Sequence, residues 1–326
     1  MGGRAVSVAL QLGVLALLLA SCAAPQVESR PPGDAPYLLV LGTGQDGGRP
    51  QLGCELECCA PARADAARRR LPTCLLLADP RDGRRWLFEA TPALPEQVER
   101  ARSHPPTRQL SGPRPPLFEG VFLTHAHVGH FAGLLQFGRE IYGARELPVH
   151  ASPRMLEFLT TNGPWSLSFE EGHLLQAPLA PGERLQLAPD LAVRALAVPH
   201  REEFSDTLAF VIEGPRRSVL FLPDIDKWER WELPLEDVLA QVDLALIDGS
   251  FFAEGEIPGR SMADIPHPFV PETLERLAPL PPDERAKVRF LHLNHTNRMS
   301  DPEGPEAAAV RAAGSAVADE LEWHAL

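Results

Sequence analysis

The sequence predicts an α/β protein whose strands deliver polar side chains at their ends. Three observations point there. Apolar runs of strand length recur along the chain. Helical segments with recognisable caps or apolar periodicity stand between several of them. Histidine or aspartate follows one apolar run after another. The densest case is Thr124-His125-Ala126-His127-Val128-Gly129-His130, after the run Gly120 to Leu123 and before Phe131 to Tyr142, whose apolar spacing predicts a helix. Strand-to-helix junctions at the carboxyl end of a sheet are where side chains converge on ligands. His-x-His on extended chain sets two rings on one side, His130 points back at the same space, and neutral imidazole is a preferred zinc ligand.

The 326 residues, 44% hydrophobic and 23% charged, suffice for a large globular core. A net charge of -13 argues against nucleic acid as a partner, because phosphate affinity needs a basic face.

Residues 1–21 stand outside the fold. Arg4 supplies a basic start, and Val6 to Ala20 is apolar but short for a bilayer. The ending Leu19-Ala20-Ser21-Cys22 resembles a bacterial lipoprotein signal, which implies acylation of Cys22 and a membrane surface as partner. An ordinary cleaved signal peptide and a retained anchor are the rival readings. Ala23, in place of Asp, resembles outer-membrane sorting, facing the periplasm. Residues 22–36 then form a tether, and 37–326 the catalytic domain.

In chain order, Tyr37 to Leu41 predicts a strand running into Gly42-Thr43-Gly44-Gln45-Asp46-Gly47-Gly48, a tight turn that either lines the site, with Asp46 contributing, or is a plain turn. Cys54, Cys58 and Cys59 follow. Three thiols within six residues suit a structural zinc with a fourth ligand from elsewhere, Cys74 or a histidine; export suits disulfides; free thiols are the third state. Arg63 to Arg70 predicts a solvated basic helix. Strands are expected at Thr73 to Ala78 and Arg85 to Glu89, a helix at Pro95 to Ser103, and a proline-rich loop at His104 to Pro116. Leu147 to Ala151 predicts a strand, and Pro153 to Thr161 a helix capped by Ser152. His150 and His173 lack partners in the pattern and are assigned to structure. Four later runs each end in a metal-competent side chain: Leu191 to Val198 before His200, Ser218 to Leu222 before Asp224 and Asp226, Val242 to Ile247 before Asp248, and Val288 to Leu291 before His292 and His295.

His-x-His-x-x-His, a later lone His, an Asp after a strand and a final His together resemble the metallo-β-lactamase superfamily. The resemblance spans Tyr37 to Trp323 and implies an αββα sandwich with a dinuclear metal site at one edge. Gly42-Thr43-Gly44, Gly48, Pro50, Gly53-Cys54, the cysteine cluster and Ala62-Arg63 resemble the phosphodiesterase that accompanies carbon–phosphorus lyase. The same stretch, with His292-Leu293-Asn294 and Thr296-Asn297, resembles the B protein of pyrroloquinoline quinone biosynthesis. By position, the resemblance implies His125, His127 and His200 at a first metal, His130 and His292 at a second with His295 as alternative, Asp224 bridging, and His267 as the acid protonating a leaving group. The metal is zinc, one or two ions, with manganese or iron as alternatives. One departure stands out. The family pattern is His-x-His-x-Asp-His, and position 129 is Gly. A lost carboxylate predicts a weaker second site, with Asp46, Asp206 or Asp226 as candidates to replace it.

The expected function is metal-dependent hydrolysis of a phosphodiester or similar small ester. An oxygen-using iron enzyme and a non-catalytic, ligand-binding lipoprotein are the alternatives. Trp228 and Trp231 are expected to pack rather than to form a platform, and Asn162-Gly163-Pro164-Trp165 is a candidate for the rim.

Overall fold

Strand residues that are apolar on both faces must be covered on both, and this is how β1 (Tyr37–Gly42) is used. Leu39 and Leu41 enter one core cluster, while Leu38 and Val40 enter another. The computed structural model describes residues 34–103, 116–257, 259 and 261–326. The expected signal sequence, nearly all of the tether and most of the proline-rich loop lie outside the described residues.

Two seven-stranded mixed sheets form the frame. The first holds β1, β2 (Cys74–Asp79), β3 (Arg84–Phe88), β4 (Gly120–Phe122), β5 (Leu147–Ala151), β6 (Leu174–Pro178) and β14 (Trp323–Ala325), in the order β14-β1-β2-β3-β4-β5-β6. The second holds β7 (Arg184–Ala188), β8 (Leu191–Val198), β9 (Thr207–Glu213), β10 (Ser218–Leu222), β11 (Leu244–Asp248), β12 (Val288–Leu291) and β13 (Ala316–Val317), in the order β13-β12-β11-β10-β9-β8-β7. Their facing surfaces meet in an apolar layer that includes Phe88, Phe122, Phe210 and Phe221. Phe88 stacks on Phe122 at 4.7 Å between centroids and meets Phe210 edge-on at 5.7 Å. Helices cover the outer face of each sheet, with Phe131, Met155 and Leu159 over the first and Leu235, Val270 and Val310 over the second. The result is the expected αββα sandwich.

In each sheet a run of strands is parallel, β3 to β6 in the first and β10 to β13 in the second. Parallel neighbours end on the same edge, so their following loops gather there. Backbone bonds join the two edges. Gln45 N donates to Leu293 O at 2.8 Å, Leu293 N to Thr43 O at 2.8 Å, and Leu208 N to Thr124 O at 3.0 Å.

Two expected helices differ. Phe131 to Tyr142 is instead a short α-helix, Val128–Phe131, followed by a 3₁₀ turn, Ala132–Phe137. Ala90 is the cause. Its N–H takes the carbonyl of His130, and its carbonyl takes the N–H of Gly133, each at 2.8 Å, so the helical ladder is broken by the neighbouring loop. Gly133 lies so close that a Cβ there would stand 2.1 Å from Thr91 O. The basic helix expected at Arg63 to Arg70 is likewise divided. Ala60–Ala64 is α-helical, and Asp65, extended and accepting from Ala67 N, starts a separate 3₁₀ turn, Ala66–Arg68. Ser152 does cap Pro153–Thr161, accepting from Met155 N at 3.1 Å.

Candidate metal centre

The loops on the shared edge bring seven of the expected residues to one point. Asp224, following β10, is buried, and its Oδ2 lies 3.5 Å from His125 Nε2, 3.0 Å from His130 Nε2 and 3.2 Å from His292 Nε2. Its Oδ1 lies 3.7 Å from His200 Nε2 and 3.5 Å from His267 Nδ1. His127 presents Nδ1 to the same space, 2.7 Å from His125 Nε2 and 3.3 Å from His200 Nε2. Ligand atoms of His125, His127, His200 and Asp224 fall within 4.8 Å of one another, as do those of Asp46, His130 and His292. Two adjacent groups result, with Asp224 reaching both.

What turns these rings inward is a partner on the other nitrogen of each. His125 Nδ1 donates to Thr124 Oγ1 at 2.9 Å, and that hydroxyl donates to Glu89 Oε1 at 2.6 Å. His130 Nδ1 faces Glu89 Oε1 at 3.3 Å, His200 Nδ1 faces Asp226 Oδ1 at 3.2 Å, and His292 Nδ1 meets Ser250 Oγ at 3.0 Å. The more exposed His127 has Nε2 3.2 Å from Glu203 Oε2. A hydrogen bond on one ring nitrogen fixes the tautomer and leaves the lone pair of the other pointing at the shared space, which is how metal-binding histidines are held. Both nitrogens of His130 and Nε2 of His292 are buried without an aligned hydrogen bond; Nδ1 of His130 has only the Glu89 carboxylate at 3.3 Å beside it, and the two Nε2 atoms lack a partner that a cation would supply.

Without a cation present, the electrostatics divide the rings. Burial and the neighbouring imidazoles hold His125 well below the ordinary histidine range, and burial likewise lowers His292. These rings are neutral and able to ligate. Burial disfavours charge on Asp224, yet His292, His200 and the other rings hold its carboxyl well below the usual range. Burial also opposes charge on His130 and His267, and carboxylates outweigh it in both. Glu89 and Asp224 raise His130, and Asp248, 2.7 Å from His267 Nδ1, raises His267 to about 9.

A second cluster lies apart from the first, and it corrects the placement of His295. That ring stands among the cysteines, not with the imidazoles. Cys54 and Cys58 Sγ are 3.7 Å apart, Cys58 and Cys59 Sγ 4.0 Å, and His295 Nδ1 is 3.6 Å from Cys58 Sγ and 3.5 Å from Cys59 Sγ. A tetrahedral zinc with Zn–S near 2.3 Å needs S···S edges of about 3.8 Å and S···N edges of about 3.6 Å. These four edges fit that figure, and all four donors lie within 4.8 Å of one another. The sulfurs are too far apart for disulfides, and all four described cysteines are free thiols. Cys74, the alternative fourth ligand, is buried in β2 with Sγ against Glu89 O at 3.5 Å. Burial and the adjacent thiols push Cys58 up to about 12 and raise Cys59, so these two call for a cation if they are to ionise.

Other expectations fall into place around these centres. Asp206 is engaged by Ser152, and Asp226 by His200 and Arg230, so neither joins the His130–His292 group. His150 stacks on Phe122 at 4.6 Å, and His173 Nδ1 meets Ala144 O at 2.7 Å, both structural. Trp228 and Trp231 are buried, their indole N–H groups donating to Thr273 Oγ1 and Ala197 O. Trp165 packs on Phe131. The residue the sequence reading missed is Glu89. It ends an apolar strand as Asp224 does, and that signal was present.

Comparison with known proteins extends the geometry. A model of the "Beta-lactamase superfamily domain" matches residues 84–292. "Coenzyme PQQ synthesis protein B" of Nitrosococcus oceani is 29% identical over 309 residues, covering 86% of this chain and 96% of that protein. Its namesake in Xanthomonas campestris pv. campestris is 29% identical over 314 residues, covering 87% and 98%. Among solved structures, Zn(2+)-bound PqqB from Methylobacterium extorquens superposes with a TM-score of 0.74 at 21% identity, covering 89% of this chain and all of that one. A diphosphatase from the PhnP family gives 0.60 at 17% identity, covering 89% and 97%. These last two likenesses concern the fold. With two sheets back to back, a cluster of imidazoles around one aspartate on their common edge, and a family match over most of the described domain, the chain belongs to the β-lactamase superfamily.

Proposed function

We propose that the protein is a metal-dependent hydrolase holding two zinc ions between its imidazoles and Asp224, and that it acts on a phosphodiester or similar small ester. The observation that carries this reading is the set of outward partners. Thr124, Glu203, Glu89, Asp226 and Ser250 each secure the far nitrogen of one inward ring, and a buried packing role would not need five such arrangements.

His125, His127 and His200 would hold one ion, His130 and His292 the other, and Asp224 both. Bound cations make water a nucleophile near neutral pH and stabilise charge on the substrate oxygen. The chain's own part is positional. Asp224, buried among the rings, keeps the two groups in register. His267, oriented by Asp248, borders Asp224, and the Asp248 carboxylate favours its protonated form, which suits donation of a proton to a departing alkoxide. Turnover of bis(p-nitrophenyl) phosphate tests the reading. The wild type should hydrolyse it, and His127→Ala and Asp224→Ala should each lose roughly 10²–10³-fold. Rates indifferent to both substitutions would point to a non-catalytic binding protein.

A second reading is an oxygen-using iron enzyme of cofactor synthesis, which takes from the comparisons only the likeness to PQQ synthesis proteins over 86–87% of the chain. Elemental analysis of protein purified without added metal separates the two. Zinc without oxygen consumption supports hydrolysis, and tightly held iron with oxygen uptake supports the other. The thiol cluster with His295 is read as a structural zinc site. We also place the protein at a membrane surface through acylated Cys22, facing the periplasm. Loss of fatty-acid labelling in Cys22→Ala is the corresponding test.

A further inference from the structure

We infer that Asp46 replaces, from a different loop, the carboxylate that position 129 lacks, so that the second metal site has a complete donor set of His130, His292, Asp224 and Asp46. This rests on the metal-centre reading above and concerns which residues of this chain complete it.

The key fact is spatial. A Cβ built on Gly129 would stand 2.5 Å from Asp46 Oδ1 and 2.5 Å from Asp46 Cα. The room a side chain at 129 would take is already filled by the carboxylate arm of Asp46. Gly129 is therefore the residue that lets Asp46 approach, and an aspartate at both positions would collide. The carboxylate so placed has an oxygen within 4.8 Å of ligating nitrogens of His130 and His292.

The backbone holds it there at a cost. Asp46 has φ 37°, in the left-handed region that non-glycine residues avoid, although aspartate tolerates it better than most. Such conformations persist where the surroundings enforce them. Here Gly44 N donates to Leu71 O at 2.7 Å, Gln45 N to Leu293 O at 2.8 Å and Gly48 N to Gln45 O at 2.7 Å, while Asn294 Nδ2 donates to Gln45 Oε1 at 2.6 Å. The loop after β1 is thus bonded to the loop that carries His292. Asp46 and His292 keep station relative to each other. The other replacements considered, Asp206 and Asp226, are engaged elsewhere. The expected weakening of the second site does not follow, because the carboxylate has changed address and has not been lost.

Two substitutions test this by metal content, measured by elemental analysis of the full chain after dialysis against buffered zinc. Asp46→Gly suits the left-handed backbone and removes only the carboxylate. Gly129→Ala adds no ligand but drives a methyl group against Asp46. Each should lose one zinc equivalent, or weaken its binding by about tenfold or more, while thermal unfolding of metal-free Asp46→Gly stays near that of metal-free wild type. Full metal content and affinity in Asp46→Gly would overturn the assignment of Asp46 while leaving the metal centre standing. A wild type holding zinc only at the thiol cluster would overturn the centre as well.

Discussion

The two clusters in this molecule differ in nearly every respect that matters to a metal. The thiol cluster draws three of its four donors from Cys54, Cys58 and Cys59, and the four lie within 4.8 Å of one another, close enough to share one tetrahedral ion. Nothing is left over for a substrate. The imidazole–carboxylate cluster gathers donors from the ends of β1, β4, β8, β10 and β12, mixes nitrogen with oxygen, and surrounds itself with polar groups that aim each ring. Soft, closed sets hold a fold together, and harder, multiply supported sets leave coordination positions for chemistry. Proteins that need both functions do better with two sites than with one compromise.

This contrast can be broken at several points. Outside the proposed ligand set, the largest effect is expected at His267, proposed above as the proton donor. His267→Ala should slow hydrolysis of an alkyl phosphodiester by about 10²-fold, and that of a p-nitrophenyl ester far less, since p-nitrophenolate departs without a proton. Equal losses on both esters would assign His267 to structure. Next comes Glu89, which touches no substrate. Glu89→Gln keeps the shape but removes the charge facing His130 and the anion behind Thr124, and should weaken metal affinity by roughly 10- to 100-fold by titration with a chelator.

A smaller effect on turnover should follow Cys58→Ser. It should cost one zinc equivalent and lower the unfolding temperature, with turnover falling only a few-fold; a collapse of turnover with no loss of zinc would reverse the roles given to the two clusters. The smallest effect at neutral pH is at His150, a half-buried histidine whose shift owes nothing to a carboxylate. Burial lowers it to about 4, against 6.5 for an ordinary histidine. A folded-state pKa below the unfolded one contributes stability that is whole above pH 6.5 and lost as pH falls towards 4, roughly 3 kcal/mol in all. His150→Gln should remove that part of the acid sensitivity, as seen in denaturant midpoints across this window.

Much of this was legible because the chemistry is local. His125, His127 and His130 stand within six residues, and the runs before His200, Asp224 and His292 announce their strands by apolar content alone. What escaped depends on distance in the chain. His295 meets Cys59 across 236 positions, and spacing cannot reveal whether a histidine three residues beyond His292 shares its site or turns away. The helix after the motif has sound periodicity, yet Ala90 claims its hydrogen bonds from outside. β14 is three residues long and owes its existence to β1, almost the whole chain away. Asp46 is one of three candidates in the sequence, and its closeness to Gly129, His130 and His292 distinguishes it from the other two.

The same two ribbons of chain serve both centres. One runs from Asp46 to the thiols at Cys54–Cys59, and the other carries His292 and, a turn later, His295. Gln45 and Asn294 button these ribbons together midway. A reagent that reaches only sulfur would therefore be felt at a centre that contains none, and an oxidising environment could slow the reaction without touching any atom that takes part in it.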